Sequence, residues 1–336
     1  MKHFIKKNIL PALVKLNVEQ WYHFNSKGKI LNVFYHGVVN EDSTKIFPRH
    51  IVKEQFEQHI KYLSNKFNII SIEEAFYLYQ NNIKPDKRTI TVSFDDGYLN
   101  NLQNALPILE KYKVKTTFFI SGICSEDENY IMWSDIIAFA RYFSNDNHLM
   151  VGNQKFIKKG KYDLIDEVNG INIYNYIKNL PYTTREIILN DIKEKYDFAN
   201  NMNGVPLEFW KLMNKNEIKL LSESEIVTIG SHGQLHFNLA NISEDEAISE
   251  MKVSKKVLAD ITGKKINLIS FPDGSYNENI KKIATTLGYE GLLAVDYRCA
   301  SDNQDKSILN RWGVSSTTTF ETIAFTLNKA FIKHSF

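Results

Sequence analysis

The sequence predicts an α/β fold, a distorted barrel of about seven strands with helices between the strands and one helical insertion. Three observations favour this fold. Short runs of β-branched and other apolar residues alternate with segments of helical periodicity, which is typical of parallel strands joined by right-handed crossovers. Two of the runs end in adjacent acidic residues or in paired histidines. The alternation is interrupted between Gly122 and Glu225.

Length and composition limit the class of protein. The 336 residues suffice for one large barrel or for two ordinary domains, and 43% apolar with 24% charged residues is typical of a globular protein. The net charge of +2 gives no electrostatic reason to expect nucleic acid as a partner. Cys124 and Cys299 stand far apart and form no C-x-x-C pattern, so neither a disulfide framework nor a zinc ribbon is predicted.

Residues 1–29 form a basic, partly amphipathic segment that is predicted to be helical. Its apolar stretch, Ile9 to Val14, is shorter than that of a usual signal peptide, and no small-x-small cleavage site follows it. We therefore predict a cytoplasmic location. The segment could rest on an anionic membrane surface as a peripheral contact, or it could pack across one end of the barrel.

The elements after residue 29 are predicted in order from their patterns. A first strand, residues 30–38, contains His36 near its end, and apolar residues three or four apart predict a helix over residues 50–66. A short strand follows over residues 67–70, and the next helix begins at the capping box Ser71-x-x-Glu74.

The strongest single strand signal is the run Thr89 to Phe94, which is followed by Asp95, Asp96 and Gly97. At the end of a strand the chain can turn and direct two consecutive side chains at one pocket. Two adjacent carboxylates are costly to hold together unless a cation neutralises them. Taken alone, Asp-Asp-Gly also fits a solvated turn.

A second apolar run, Ile226 to Ile229, ends in His232-x-x-x-His236. Gly233 favours a turn rather than a helix here, and such a turn can bring both imidazoles inward as a bidentate clamp. Between the two motifs lie a helix over residues 100–112, a strand over residues 115–121, and the helical insertion, about 123–225. Aromatic residues of the insertion, Trp133 among them, are predicted to form its own small core or to stack on sugar rings.

These two motifs resemble those of the polysaccharide deacetylases that share a NodB-type homology domain. The resemblance covers roughly residues 30–315 and implies a NodB-like barrel for domain 30–336. In that family the first Asp is the general base, and the second Asp and both His residues hold a divalent metal. Carried over, Asp95 is the base and Asp96, His232 and His236 are the ligands.

A third stretch, Phe271-Pro272-Asp273-Gly274, resembles the family's Tyr-Pro-x-Gly motif, although alone it also fits an ordinary turn. The resemblance implies that the backbone N–H of Asp273 faces the developing oxyanion, and one such donor is worth about 3 kcal/mol of barrier. The form of this motif with Arg two residues before the proline is not kept, because Ser270 occupies that place.

The general acid is the open assignment. The best-studied branch of the family uses a histidine of the final motif, but no His occurs between His236 and His334. Three substitutes are available, namely His36, Asp296 and Arg311. An arginine cannot deliver a proton at ordinary pH, so Arg311 is expected to orient Asp95 or to bind substrate. His36 is the better acid because an unperturbed imidazole titrates near pH 6.5.

The resemblance implies hydrolysis of an N-acetyl group on an amino sugar, in a glycan or in a lipid- or nucleotide-linked precursor, with release of acetate. A site of two nitrogens and one oxygen leaves positions for water and substrate, as catalytic Zn²⁺ sites do. Co²⁺, Ni²⁺ and Mn²⁺ are alternatives. Hydrolysis of a non-sugar amide, or glycan binding without turnover, would use the same metal site.

Overall fold

The computed structural model describes residues 28–125, 127–316 and 318–336. The helix predicted for residues 1–29 thus falls almost wholly outside the described residues. The central sheet is built from nine strands, and all of its pairings are parallel. They are β1 (Ile30–Tyr35), β4 (Asn68–Ile69), β5 (Thr89–Phe94), β6 (Thr116–Ile120), β10 (Val227–Ser231), β11 (Leu268–Ser270), β12 (Gly291–Ala294), β13 (Ile308–Asn310) and β14 (Trp312–Gly313).

The sheet closes on itself through one interrupted strand. Its order is β13-β12-β11-β10-β6-β5-β1-β14, and only Arg311 separates β13 from β14 along the chain. The stretch of chain from residue 308 to 313 therefore pairs with β12 through its first half and with β1 through its second. Counted this way, and leaving aside the two-residue β4, the barrel has the seven strands that the sequence predicts.

Helices connect the strands as the sequence pattern predicts. Ser243 and Glu246 form a reciprocal capping box at the start of α9, which ends at Gly263 in the left-handed conformation that glycine adopts without penalty. The helices are α1 (Lys53–Lys66), α2 (Ile72–Gln80), α3 (Leu106–Lys111), α4 (Trp133–Phe143), α5 (Ile173–Lys178), α6 (Tyr182–Lys195), α7 (Phe198–Asn201), α8 (Lys215–Ser222), α9 (Glu244–Thr262), α10 (Glu278–Thr286) and α11 (Phe320–His334).

Aromatic rings join three neighbouring strands on the face of the sheet that packs against α1, whose Phe56 contacts two of them. Phe94 of β5 stacks on Tyr35 of β1 and on Phe118 of β6, with ring centroids 5.5 and 5.0 Å apart. All three rings are buried. Such pairs contribute about 1 kcal/mol each beyond the burial of their area, so they hold the strand that carries the acidic pair against both of its neighbours.

Three predicted elements differ from those observed. The helix predicted over residues 50–66 begins only at Lys53, because residues 50–52 form a strand. The first predicted strand is interrupted at His36, where the chain leaves the barrel and continues as β2 (Gly37–Val39), which pairs with β3 (His50–Val52) in a separate two-stranded sheet. The helix predicted from residue 100 begins instead with a π-helical turn over residues 101–105 ahead of α3. Pro107 lies in the first turn of α3, where the missing N–H has no cost.

The insertion contains more than helices. Helices α4 to α7 are accompanied by a three-stranded antiparallel sheet of β7 (His148–Val151), β8 (Gln154–Lys159) and β9 (Asp163–Asp166), which the sequence analysis did not predict. These strands are only four to six residues long, so their periodicity is weak. The segment has its own hydrophobic core, to which Val39, Ile46 and Phe47 of the β2–β3 region also belong.

No helix in the described part of the chain is both long enough and apolar enough to cross a membrane.

Candidate active site

The acidic pair lies at the C-terminal end of β5. The amide of Asp95 donates to Tyr35 O at 3.0 Å, which continues the pairing with β1 by one residue. The chain then reverses through Asp96 and Gly97, whose φ angles are 77° and 92°. A Cβ on Gly97 would lie 2.9 Å from Ile120 Cγ2, so no larger residue fits this turn. Both carboxylates are buried.

The two histidines converge on Asp96 from the end of β10. His232 Nε2 and His236 Nε2 each lie 3.4 Å from Asp96 Oδ1, and the three side chains can each offer one atom to a common metal ion. His236 Nδ1 lies 3.4 Å from the indole nitrogen of Trp133. His232 Nδ1 lies 2.8 Å from Ser270 O. A proton on that Nδ1 leaves the Nε2 lone pair free, which is the usual arrangement behind a metal-binding histidine. The donor set thus fits a divalent transition metal.

Backbone strain is concentrated at this site. Six of the described non-glycine residues have positive φ, and three of them are Asp96, His236 and Asp273, at 77°, 54° and 55°. The left-handed region costs a non-glycine residue about 1–3 kcal/mol, and such conformations persist where the surroundings over-determine them, often at functional sites.

One buried acidic residue and one buried basic residue hold the loop between the two histidines. Glu250 of α9 accepts hydrogen bonds from the amides of Gln234 and Leu235, the shortest being 3.0 and 2.9 Å. Arg185 of α6 donates to Leu235 O at 3.3 Å and lies over the ring of Phe237, 4.1 Å from its centroid. Since Arg185 belongs to the insertion, the insertion contacts the loop that carries His236.

Arg311 lies behind Asp95. Its guanidinium donates to both oxygens of Asp95 at 2.7 Å, and Nη1 also reaches Ser93 Oγ at 3.3 Å. Nη2 contacts Ser270 Oγ as well. The side chain of Ser270 is small, and it stands where some relatives carry the motif's arginine. Arg311 therefore approaches Asp95 from the interrupted strand rather than from β11.

Charge interactions keep both carboxylates ionised. Burial alone would raise the pKa of Asp95, but the charge and hydrogen bonds of Arg311 together with the charges of His232 and His36 outweigh burial, and the pKa of Asp95 lies below its usual value. Burial likewise opposes ionisation of Asp96, whereas hydrogen bonds with His232 and His236 hold the pKa of Asp96 well below its usual range. For His236, burial lowers the pKa, but the hydrogen bond to Asp96 and the charge of Asp273 raise it above its usual value.

These groups line one cavity of about 370 Å³, a volume within the range of ligand pockets. Six of the seven predicted site residues line it, namely His36, Asp95, Asp96, His232, His236 and Asp273. The seventh, Arg311, is fully buried beneath Asp95. Asp296 is not among the lining residues, and its carboxylate is largely exposed, 3.9 Å from Lys333 Nζ. The structure therefore does not bring Asp296 to the site as an acid.

Comparisons with known proteins identify the family of this chain. The family model for polysaccharide deacetylases matches residues 82–145 and 179–292, which together make up more than half of the chain. The chain belongs to this family. Membership confirms the suspected resemblance, the barrel fold and the class of enzyme, an N-deacetylase.

Three relatives illustrate how this deacetylase compares. YxkH of Bacillus subtilis strain 168, provisionally named a polysaccharide deacetylase, is 22% identical over 311 residues, which cover 92% of this chain and 80% of YxkH. The poly-β-1,6-N-acetyl-D-glucosamine N-deacetylase of Staphylococcus aureus strain MSSA476 is 33% identical over 108 residues, 32% of this chain and 36% of that enzyme. The Streptococcus pyogenes deacetylase PplD, solved in complex with acetate, superposes with a TM-score of 0.57 at 18% identity, covering 89% of this chain and 97% of PplD.

Several residues of the deacetylase cavity were missed by the sequence analysis. Arg49 lines the cavity from the loop between β2 and β3, and a single arginine in a loop forms no motif. Trp133 was not missed, because the sequence predicted it either for the insertion's core or for stacking on sugar rings; it lines the cavity and also belongs to that core. The roles of Arg185 and Glu250 depend on packing between distant segments, which periodicity does not reveal.

Proposed function

We propose that this protein hydrolyses the N-acetyl group of an amino sugar, in a glycan or in a lipid- or nucleotide-linked glycan precursor, with the help of a bound divalent metal. The proposal rests on one observation. Three side chains that can bind a metal converge beside an ionised carboxylate that forms no ion pair with either histidine. Asp96, His232 and His236 offer the ligand atoms, and Asp95 stands next to them with its charge stabilised by Arg311.

The metal would be held by Asp96 Oδ1 and by the Nε2 atoms of His232 and His236. Two imidazole nitrogens and one carboxylate suit Zn²⁺ best, with Co²⁺, Ni²⁺ and Mn²⁺ as alternatives. When bound, such a cation polarises the acetamide carbonyl and brings the pKa of water from about 15.7 towards about 7. Ser270 O fixes the orientation of His232 for this task.

Asp95 is the general base in this proposal. Its carboxylate is ionised because of Arg311, it lines the cavity, and it takes the proton from the attacking water. Arg311 spans both oxygens of Asp95, so it fixes the plane of the carboxylate. Because Arg311 is fully buried and does not line the cavity, it positions Asp95 and does not touch the substrate.

The oxyanion needs a hydrogen-bond donor, and the leaving amine needs a proton donor. The backbone N–H of Asp273 has no hydrogen-bond partner among the described residues, while the amides of Gly274 and Ser275 bond to Phe271 O and Pro272 O. The Asp273 N–H is therefore available to stabilise an oxyanion. His36 lines the cavity and is the acid that protonates the departing amine.

The class of substrate follows from the family, and the identity of the sugar within that class is our inference. The S. aureus relative is named for a polymer of N-acetylglucosamine, which supports an N-acetylated hexosamine as the reacting sugar here. We propose in addition that the protein acts in the cytoplasm and is associated with the membrane through its basic opening segment. Cell fractionation with and without residues 1–27 tests that location.

The function is tested by acetate release. N-acetylated oligosaccharides and nucleotide- and lipid-linked amino sugars are incubated with protein that has been treated with chelator and then supplied with Zn²⁺ or Co²⁺. Metal-dependent acetate from a sugar supports the proposal. Metal-dependent hydrolysis of non-sugar amides alone would favour the other amidase reading, and tight glycan binding without acetate would favour a binding protein.

A further inference from the structure

Arg49 presents an oriented guanidinium to the cavity. Its Nη1 donates hydrogen bonds to Ser134 Oγ at 2.8 Å and to Tyr98 OH at 3.2 Å, and the same atom forms an ion pair with Asp135 Oδ1 at 2.8 Å. Asp135 is fully buried, and Tyr98 donates to its second oxygen at 2.8 Å. This network fixes Arg49 on one side. Nε and Nη2 bond to none of the described residues, and the side chain remains 19% exposed.

Lys178 brings a second cation to the same cavity from a different element. It is the last residue of α5, and it lines the cavity together with Arg49 and Tyr174. Among the residues that the structure describes, no carboxylate lies within ion-pairing distance of its ammonium group. We refer to Arg49 and Lys178 as the cationic rim.

The other charges of the cavity do not cancel the rim. The carboxylate of Asp95 is paired with Arg311, and Asp96 faces the two histidines that would hold the metal with it. Asp273, the remaining acidic lining residue, lies on the side of His236, whose pKa its charge raises. Asp135 balances Arg49, and none of the described carboxylates pairs with Lys178, so the charge of Lys178 stays unpaired on the rim.

We propose that the cationic rim binds a phosphate group, and that the preferred substrate is an N-acetylated amino sugar that carries a phosphate or a glycosyl diphosphate. The inference rests on the proposed deacetylase function. A planar guanidinium with a free edge can donate to two oxygens of one phosphate. An ammonium group is a compact point charge that can bind a further phosphate oxygen. Nucleotide-linked and lipid-linked sugars share this chemistry, whereas a neutral polymer offers nothing for the rim to bind.

A purely structural role for Arg49 explains only half of its geometry. The ion pair with Asp135 ties the β2–β3 loop to α4, and that alone would account for Nη1. It does not account for the second edge of the guanidinium or for an unpaired lysine on the same cavity. A carboxylated sugar would engage one cation, while two cations from separate elements match the higher charge of phosphate.

The test is a comparison of substrates with the zinc-loaded full chain. Acetate release is measured for methyl N-acetylglucosaminide, N-acetylglucosamine 1-phosphate, UDP-N-acetylglucosamine and a polyprenyl-diphosphate N-acetylglucosamine. The quantity compared is the ratio of kcat/KM for each phosphorylated sugar to that for the neutral glycoside. Lys178→Met and Arg49→Lys are compared with wild type and with Lys195→Met, which removes an exposed lysine of α6 outside the cavity.

We expect the ratio to fall by about tenfold or more in Lys178→Met and Arg49→Lys, mainly through KM, and to stay at its wild-type value in Lys195→Met. Preference for the nucleotide or the lipid substrate identifies the source of the phosphate. An unchanged ratio with acetate still released overturns the phosphate subsite and leaves the deacetylase function standing. If no sugar releases acetate, the proposed function fails. Calorimetric binding of N-acetylglucosamine 1-phosphate then decides the subsite, since equal affinity in wild type and Lys178→Met overturns it.

Discussion

Arg311 and Asp95 form a bidentate ion pair inside the barrel, with both guanidinium–carboxylate distances at 2.7 Å. The pair lies where the barrel closes, because Arg311 is the residue that interrupts the last strand between β13 and β14. One residue thus takes part both in the closure of the barrel and in the site. The backbone on either side of Arg311 joins the two ends of the sheet, and its side chain holds the carboxylate proposed as the base.

Replacement of Arg311 should change the pH profile. The pKa of Asp95 is lowered by Arg311, and a base works in its ionised form, so wild-type activity is lost only as pH falls through that lowered pKa. In Arg311→Met the pKa of Asp95 rises, and the loss of kcat/KM should begin at a higher pH. The variant also leaves a buried carboxylate unpaired, which costs about 3–5 kcal/mol of stability.

The double variant Asp95→Asn with Arg311→Met separates stability from catalysis. It removes the unpaired charge and should recover part of the thermal stability without recovering activity. An acidic limb in Arg311→Met that matches wild type would contradict the positioning role of Arg311.

Asp95→Asn should abolish turnover and keep the metal. Removal of a general base costs about 10²–10⁴ in rate, while Asp95 is outside the set of ligand atoms. Metal analysis and kcat are measured on the same preparation. Wild-type turnover in this variant would exclude Asp95 as the base, and loss of the metal would place it among the ligands.

His232→Ala and His236→Ala should each lose bound metal at concentrations that saturate the wild type. Each change removes one of the three proposed protein ligands. The matched control is His148→Ala in the insertion sheet, which lies outside the cavity. Full metal occupancy in either ligand variant would refute the assignment.

Arg185→Met should weaken metal binding although Arg185 touches no ligand atom. The change removes a hydrogen bond to Leu235 O and the contact with Phe237, which flank His236, and groups that orient ligands typically affect metal affinity by about ten- to hundredfold. The visible spectrum of the Co²⁺-loaded protein should shift with the altered geometry, and Arg185→Lys should restore part of the affinity. A lower melting temperature with unchanged affinity and spectrum would indicate a role in stability alone.

His36→Gln should depress turnover and alter the basic limb of the pH profile. Burial lowers the pKa of His36 from its usual value of 6.5, and an acid must be protonated to act. Activity that depends on His36 is therefore lost as pH rises through that lowered pKa. A profile identical to that of wild type would assign proton delivery to water.

Sequence patterns predicted most of this arrangement, because the motifs follow parallel strands of one regular barrel, with only β6 between the strand of the acidic pair and that of the histidines. Asp95, Asp96, His232 and His236 each follow an apolar run, and parallel strands end at the same rim. The strand at residue 30 was predicted two or three residues too long, since nothing in its composition marks the point at which the chain leaves the barrel at His36.

Contacts between distant segments could not be predicted. Ser270 was recognised as a departure from the family motif, but only the structure shows that the space beside it is taken by Arg311. Similarly, Arg49 reaches the cavity because buried Asp135 on α4 holds its Nη1, a pairing between residues 86 positions apart. The strands of the insertion are short, so helical patterns dominated the prediction there.

The most direct test of the central claim measures metal content and acetate release together. Wild type, Asp95→Asn and His232→Ala are stripped with chelator, titrated with Zn²⁺, and assayed with N-acetylated amino-sugar substrates. We predict that acetate release by the wild type rises in proportion to bound Zn²⁺ up to one ion per chain, that Asp95→Asn binds the ion without turnover, and that His232→Ala does neither. Acetate release that is independent of bound metal, or that persists in Asp95→Asn, would contradict the proposed site.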